Sequence, residues 1–287
     1  MYIFKCAVVG AGAMGGEIAQ VISWAGLPVL LKDVDQKALD HGIATARAVY
    51  ERRIKSGKLT QAEMNEKMAL ITPTLTYDEF GDVDFVIEAV PEKLPIKQAV
   101  FAELDKVCQS TAILASNTSA LSITALGAAT KRPAQVVGFH FFNPASVMKL
   151  VEVVAGQQTS QDTMDTAVSF AEELRKIPVK VKECAGFVVN RILMATMVEI
   201  IKAREELGVD HETVDKVVKE RGGVPMGPFL LGDMLGLDIA ADVAATLEKA
   251  YGPRFKAPKE LADLVAAGDL GVKTGKGFYT HTRAEGN

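Results

Sequence analysis

The stretch that most restricts this chain lies near its start. Residues 3–9 are apolar and strand-like, and Gly10-Ala11-Gly12-Ala13-Met14-Gly15 follows at once. A helical pattern runs from about Met14 to Ala25, then a second strand over Pro28–Lys32 that Asp33 ends. The order is strand, Gly-x-Gly-x-x-Gly, helix, strand, acid. Gly10 permits the tight turn, Gly12 lets the backbone approach a pyrophosphate, and Gly15 allows close packing of helix on strand. The helix N-terminus attracts phosphate charge. A carboxylate at Asp33 would bond ribose hydroxyls and repel a 2′-phosphate, which favours NAD over NADP; Lys32 beside it weakens that preference slightly. A glycine turn alone can serve packing. With the strand, helix and terminal acid in place it points to dinucleotide binding, with Gly10, Gly12, Met14, Gly15 and Asp33 as expected cofactor contacts.

The pattern continues as alternating helix and strand. Helices are expected over 36–57 and Thr60–Met68. The far end of the first is basic (Arg47, Arg52, Arg53, Lys55, Lys58). Such a run reads as a solvated helical face or as a grip for a phosphorylated handle. The run 84–90 is a third strand, almost continuously apolar as a buried parallel strand should be. A helix over about 94–107 and a strand over 112–115 follow. Ser116-Asn117-Thr118-Ser119 sits at the carboxyl end of that strand, where ligands lie in doubly wound sheets. On local evidence the cluster reads better as turn chemistry and an N-cap. Further strands are expected over 135–142, 148–154 and 179–181, with a helix over 161–176. After Lys182 the signals are helical only: about 187–206, 210–219, 229–235, 237–250 and 259–266. The first of these reads as a buried central helix. The fold class is therefore an α/β Rossmann-type doubly wound sheet domain over 1–183, followed by an all-α helical domain over 184–287.

Gly138-Phe139-His140-Phe141-Phe142-Asn143-Pro144 and the run ending Leu150-Val151-Glu152-Val153-Val154 carry the chemistry. A carboxylate inside such an apolar strand needs a partner. If the two strands pair antiparallel about Ser146, His140 lies opposite Glu152, because both are equidistant from it, and facing side chains can bond. A buried Glu that orients a His is the arrangement of proton-transfer sites. A core histidine satisfied by a structural carboxylate fits this stretch equally well.

Composition excludes several classes. The 287 residues suffice for two domains; 48% are hydrophobic, 24% are charged, and the net charge is −4. That balance gives no reason to expect nucleic acid or an anionic membrane surface. Three cysteines, Cys6, Cys108 and Cys184, match no metal or redox spacing, so no metal site is expected and a reducing compartment is. The first apolar run enters the glycine turn directly and reads as a strand, not a signal peptide. No stretch approaches the roughly 18 apolar residues of a membrane span. A cytoplasmic protein is expected.

Taken in order, these motifs resemble the L-3-hydroxyacyl-CoA dehydrogenases, including the bacterial 3-hydroxybutyryl-CoA dehydrogenases. The resemblance covers nearly the whole chain. It rests on Gly10–Gly15 with Asp33, Glu88-Ala89-Val90-Pro91-Glu92, Ser116–Ser119, Gly138–Pro144, Lys149–Val153, Gly186-Phe187-Val188-Val189-Asn190-Arg191, Pro225–Phe229 and Lys273–Tyr279. It implies reversible, NAD-dependent oxidation of the 3-hydroxyl of a short-chain acyl-CoA. In that family the residue matching His140 is the general base and the one matching Glu152 orients it. Those matching Ser119 and Asn190 position substrate oxygens, those matching Glu92 and Lys97 contact the cofactor, and the one matching Asn143 lies beside the site. The family's long second helix supplies a Ser and a Lys to the CoA phosphates; here those places hold Ala46 and Arg53, which keeps a charge but no hydroxyl. The same scaffold carries dehydrogenases of free sugar acids such as L-gulonate, and crystallin-like NAD-binding relatives without useful catalysis. The family usually forms homodimers, and the apolar helices of the second domain are the expected interface.

Overall fold

The structure, a computed structural model, describes residues 2–281. The chain divides into two compact units, Met1–Phe187 and Val188–Asn287.

In the first unit the strands are β1 Cys6–Val9, β2 Val29–Lys32, β3 Ile71–Thr74, β4 Phe85–Glu88, β5 Ile113–Ser116, β6 Val136–Phe141, β7 Leu150–Ala155 and β8 Ile177–Lys182. The helices are α1 Gly15–Trp24, α2 Gln36–Lys55, α3 Gln61–Ala69, α4 Leu94–Val107, α5 Ile123–Gly127 and α6 Gln161–Glu173. The strands form one sheet in the order β3-β2-β1-β4-β5-β6-β7-β8. The first six strands are mutually parallel, β7 is antiparallel to β6, and β8 runs parallel to β7. The order 3-2-1-4-5-6 reverses between β1 and β4, which is the switch point where a dinucleotide binds in such sheets.

Strand alternation explains the two layers. Val8, Leu31, Phe85, Ile87, Phe139, Phe141 and Val151 pack on one face with Ile18 of α1, Leu39 of α2 and Phe170 of α6. Their neighbours Val9, Leu30, Val86, Leu114 and Val154 pack on the other with Phe101 of α4 and Ile123 of α5. A sheet covered on both faces needs strands apolar on both sides, and this is why these strands are nearly continuous apolar runs.

β3 carries no strand signal in the sequence. Pro73 and Thr72 are exposed on this edge strand, so neither burial nor alternation marks it. The run 84–90 is consequently the fourth strand, not the third.

The second unit is built from α7 Val189–Leu207, α8 His211–Gly222, α9 Pro228–Leu235, α10 Leu237–Tyr251 and α11 Lys259–Ala267. The expected burial of the first helix is corrected. Within α7 only Met194, Met197, Val198 and Ile201 are buried, and Ile192 is 62% exposed. The motif Lys273–Tyr279 has a packing reason. Asp233 is buried on α9 and accepts hydrogen bonds from Phe278 N and Tyr279 N, and a Cβ at Gly277 would fall 2.1 Å from its Oδ1. Among the described residues no helix is long and apolar enough to cross a membrane.

Candidate active site

The glycine turn spans the switch point. Gly10 has φ +103°, a left-handed value that favours glycine, and a Cβ there would lie 2.7 Å from the Ala89 carbonyl carbon. A Cβ on Gly15 would lie 1.7 Å from Gly10 O, so the helix start is pressed onto the turn itself as well as onto β1. The closer packing between layers belongs to Gly16, whose Cβ would meet Gly42 O of α2 at 2.4 Å. Gly12 differs from all of these: its Cβ would meet nothing within 4 Å. The space over Gly12 is open to a phosphate, and Met14, half-buried, is the N-cap of α1.

Asp33 Oδ2 accepts from Ala11 N at 2.7 Å and Oδ1 from Val34 N at 2.7 Å. The acid thus also fixes the turn, and each oxygen keeps a further lone pair for a ribose hydroxyl. Lys32 precedes that acid at the end of β2. Adjacent strand residues face opposite ways, and the buried Lys32 ammonium lies 4.2 Å above the Tyr77 ring. Burial lowers its pKa from the ordinary lysine value. The open space at Gly12, the acid at Asp33 and the start of α1 fit a dinucleotide.

β6 and β7 pair with His140 opposite Glu152. Both are buried, and His140 Nδ1 lies 2.8 Å from Glu152 Oε2. A carboxylate only accepts, so Nδ1 carries the proton and Nε2 offers its lone pair. Ser119 Oγ lies 3.1 Å from that Nε2. The imidazole is flanked by Phe142, with ring centroids 4.6 Å apart, and by Phe187 at 5.8 Å. Phe187 holds φ +48°, a strained value for a bulky residue that persists only where surroundings impose it.

The Ser116–Ser119 cluster is not the cap of α5. That cap is Ser122, which accepts from Ala125 N at 3.0 Å. Asn117 Oδ1 instead accepts from Phe141 N at 2.9 Å, which ties the loop to β6. Glu92 Oε1 gathers the loop by accepting from Thr118 Oγ1 and from Ser119 N at 2.9 Å.

Lys97 is buried and directs its ammonium to Glu88 Oε1 at 2.7 Å, Val90 O at 3.1 Å and Glu92 Oε2 at 3.2 Å. It thereby holds Glu92 from α4. In the sequence Glu88 stands only as the head of the Glu88–Glu92 motif, with no role of its own. It is wholly buried at the end of β4, and it also accepts from Ser116 Oγ at 2.7 Å and Val90 N at 2.7 Å. Burial pushes its carboxyl pKa up, and Lys97, Ser116 and Val90 N only partly offset this. The signal that drew attention to Glu152, a lone carboxylate in an apolar strand, was equally present at Glu88.

Asn143 is exposed in the β6–β7 loop. Glu17 of α1 holds that loop by accepting from Ser146 N at 3.0 Å, and Lys176 by donating to Met148 O at 2.9 Å. Arg53 stacks its guanidinium 4.1 Å from the Trp24 ring centroid. Ala46 is fully buried in the core, so a hydroxyl at that place would not face a phosphate and its absence carries no weight against CoA. Asn190 belongs to the second unit, at the start of α7.

A doubly wound sheet with an open glycine turn, a terminal acid and a buried His–Glu pair defines a dinucleotide-dependent dehydrogenase. Residues 5–184 match the 3-hydroxyacyl-CoA dehydrogenase NAD binding domain and residues 186–281 match the 3-hydroxyacyl-CoA dehydrogenase C-terminal domain, so the chain belongs to the 3-hydroxyacyl-CoA dehydrogenase family. It is similar to (S)-3-hydroxybutyryl-CoA dehydrogenase from Ralstonia eutropha: TM-score 0.94, 38% identity, covering 98% of this chain and 100% of that one. It is also similar to 3-hydroxybutyryl-CoA dehydrogenase from Escherichia coli: TM-score 0.94, 37% identity, covering 100% of this chain and 61% of that one. The fatty acid oxidation complex subunit alpha of Pseudomonas entomophila is 42% identical over 279 residues, 96% of this chain. This chain spans only 39% of the length of that relative.

Proposed function

We propose that this chain interconverts (S)-3-hydroxyacyl-CoA and 3-ketoacyl-CoA, with NAD as redox partner and a preference for short acyl chains. The observation that carries the reading is the buried His140, fixed by Glu152 at Nδ1 and open at Nε2 toward Ser119. Bound at the glycine turn, NAD supplies the acceptor for the hydride from C3.

His140 acts as the base. Its Nε2 takes the proton of the 3-hydroxyl, and in the reverse direction returns it to the ketone oxygen. Glu152 keeps the proton-bearing Nδ1 turned inward and offsets the positive charge that develops on the ring. Ser119 holds the substrate oxygen against Nε2, and Asn190 is assigned a second contact to it. Gly10, Gly12, Met14, Gly15 and Asp33 hold the dinucleotide with Glu92 and Asn143, and Lys97 fixes Glu92. Arg53, half-buried on α2, is assigned to a CoA phosphate. Phe142 and Phe187 exclude water from the imidazole. The short-chain preference is supported by the similarity to two 3-hydroxybutyryl-CoA dehydrogenases. The free-acid alternative rests on the shared scaffold, and with Ala46 in the core the missing hydroxyl does not favour it.

Steady-state rates decide the reading. Acetoacetyl-CoA should be reduced with NADH, with NADPH much poorer, and short chains should be turned over faster than long or aromatic ones. Turnover of free hydroxy acids alone would overturn it, as would NADH binding without turnover of any acyl-CoA. A homodimer through the second unit is part of the same proposal. It is supported by apolar side chains left facing outward there, among them Ile192, Met234 at 59% exposure and Ile239 at 54%. A light-scattering mass of one chain would refute it.

A further inference from the structure

We infer that the buried Glu88–Lys97 pair is a positioning device whose purpose is to set the Ser119 hydroxyl against His140. The inference rests on the role given to Ser119 above. Ser119 lies in an irregular loop after β5, so no strand or helix ladder fixes its backbone. Glu92 Oε1 reaches it directly, accepting from Ser119 N at 2.9 Å, from Ala120 N at 3.3 Å and from the Thr118 hydroxyl. Glu92 is itself 43% exposed and comes from a loop, so it cannot hold that geometry alone. Lys97 reaches its other oxygen at 3.2 Å from α4, and Glu88 at the end of β4 fixes Lys97 at 2.7 Å. Ser116 closes the circuit. Its Oγ donates to Glu88 Oε2 at 2.7 Å and accepts from Thr118 N at 3.2 Å. The rigid sheet and a helix thus grip the loop from both sides.

A bland reading is that the pair only stabilises the fold. Buried ion pairs are weak contributors to net stability, because desolvation offsets their attraction. A buried pair that adds little net stability needs another reason for its place at the end of β4. Positioning supplies one: a displacement of about 1 Å at a reacting group can cost roughly a hundredfold in rate.

The test is a double-mutant cycle in the intact protein. The variant Glu88→Gln/Lys97→Met, which removes both charges together, should lower kcat for acetoacetyl-CoA and NADH at least about tenfold. Its Kd for NADH, read by fluorescence titration, should rise as Glu92 is released, so kcat is compared at saturating NADH in every variant. In a Ser119→Ala background the same pair of changes should cost less than about twofold, because the group they position is gone. A purely structural role gives losses that multiply in both backgrounds, and that result overturns the inference. Should the paired variant fail to fold, Ser116→Ala serves the same cycle. It removes one hydroxyl and should cost about threefold in the parent and nothing in Ser119→Ala. Full activity of Ser119→Ala alone would overturn both this inference and the role of Ser119. An impaired Ser119→Ala with multiplying losses would overturn the inference only.

Discussion

Gly12→Ala and Gly15→Ala add the same methyl group three positions apart, yet they should fail in opposite ways. A Cβ on Gly15 falls 1.7 Å from Gly10 O and 2.8 Å from its carbonyl carbon. Neither atom belongs to a flexible side chain, so the whole turn must shift. Overpacking of this severity should cost about 3 kcal/mol or more. For a chain of this size that lowers Tm by about 6–12 °C. A Cβ on Gly12 meets nothing within 4 Å. Folding should be unaffected, with Tm within about 2 °C of the parent. The methyl instead stands where a pyrophosphate oxygen must approach the backbone. Loss of one charge-assisted hydrogen bond is worth about 1.5–3 kcal/mol, or roughly a ten- to hundredfold rise in the Kd for NADH. The assays are thermal melting without cofactor and fluorescence titration with NADH. Parent-like NADH affinity in Gly12→Ala would refute the assignment of that space to a phosphate. Equal melting losses in the two variants would refute the geometric argument.

The other predictions concern the acid–base pair, cofactor choice and acid stability. His140→Gln should lower kcat by about a thousandfold while NADH still binds, and near-parent turnover would remove His140 from the chemistry. Glu152→Gln should lose about a hundredfold or more and alter the pH–rate profile; an unchanged profile would count against its role. Asp33→Asn should raise activity with NADPH relative to NADH about tenfold, measured as the ratio of kcat/KM values. Asp105→Asn tests a linkage effect. Burial pushes the Asp105 carboxyl up, but the Lys131 N–H and the Arg132 guanidinium outweigh it and hold the pKa below the ordinary value. A depressed carboxylate contributes stability above its unfolded pKa and loses it as pH falls through the folded one. The variant should therefore melt lower than the parent at neutral pH, by roughly 1.5–3 kcal/mol of stability, and the gap should close as pH falls below about 4. A gap independent of pH would refute it.

Much of this protein was legible before any coordinates. The dinucleotide unit is local: its glycines, helix start and terminal acid lie within 33 residues, and each is dictated by backbone sterics or by the helix terminus. The opposition of His140 and Glu152 followed from strand alternation and a loop centred on Ser146, and the observed register is the same. Period-two geometry leaves one answer once the pairing is antiparallel. What failed was non-local. β3 is recruited by β2 at an exposed edge, so nothing in its own four residues announces it. Ser116–Ser119 looked like a cap because capping is judged over three or four residues, whereas the group that organises it, Glu92, lies 27 positions from Ser119. Ala46 looked like a lost phosphate contact because spacing along α2 does not say which residues face the core. Lys97, matched to a cofactor contact, and Glu88, at the head of its motif, do not announce their pairing, which the fold makes by burying them together. The sequence by itself therefore determined the fold class, the nucleotide turn and the His–Glu pair, because these depend on short-range periodicity and sterics. Only the tertiary structure decided how Ser119 is held to that pair, because charges brought from β4, α4 and a loop acquire partners only when the sheet assembles.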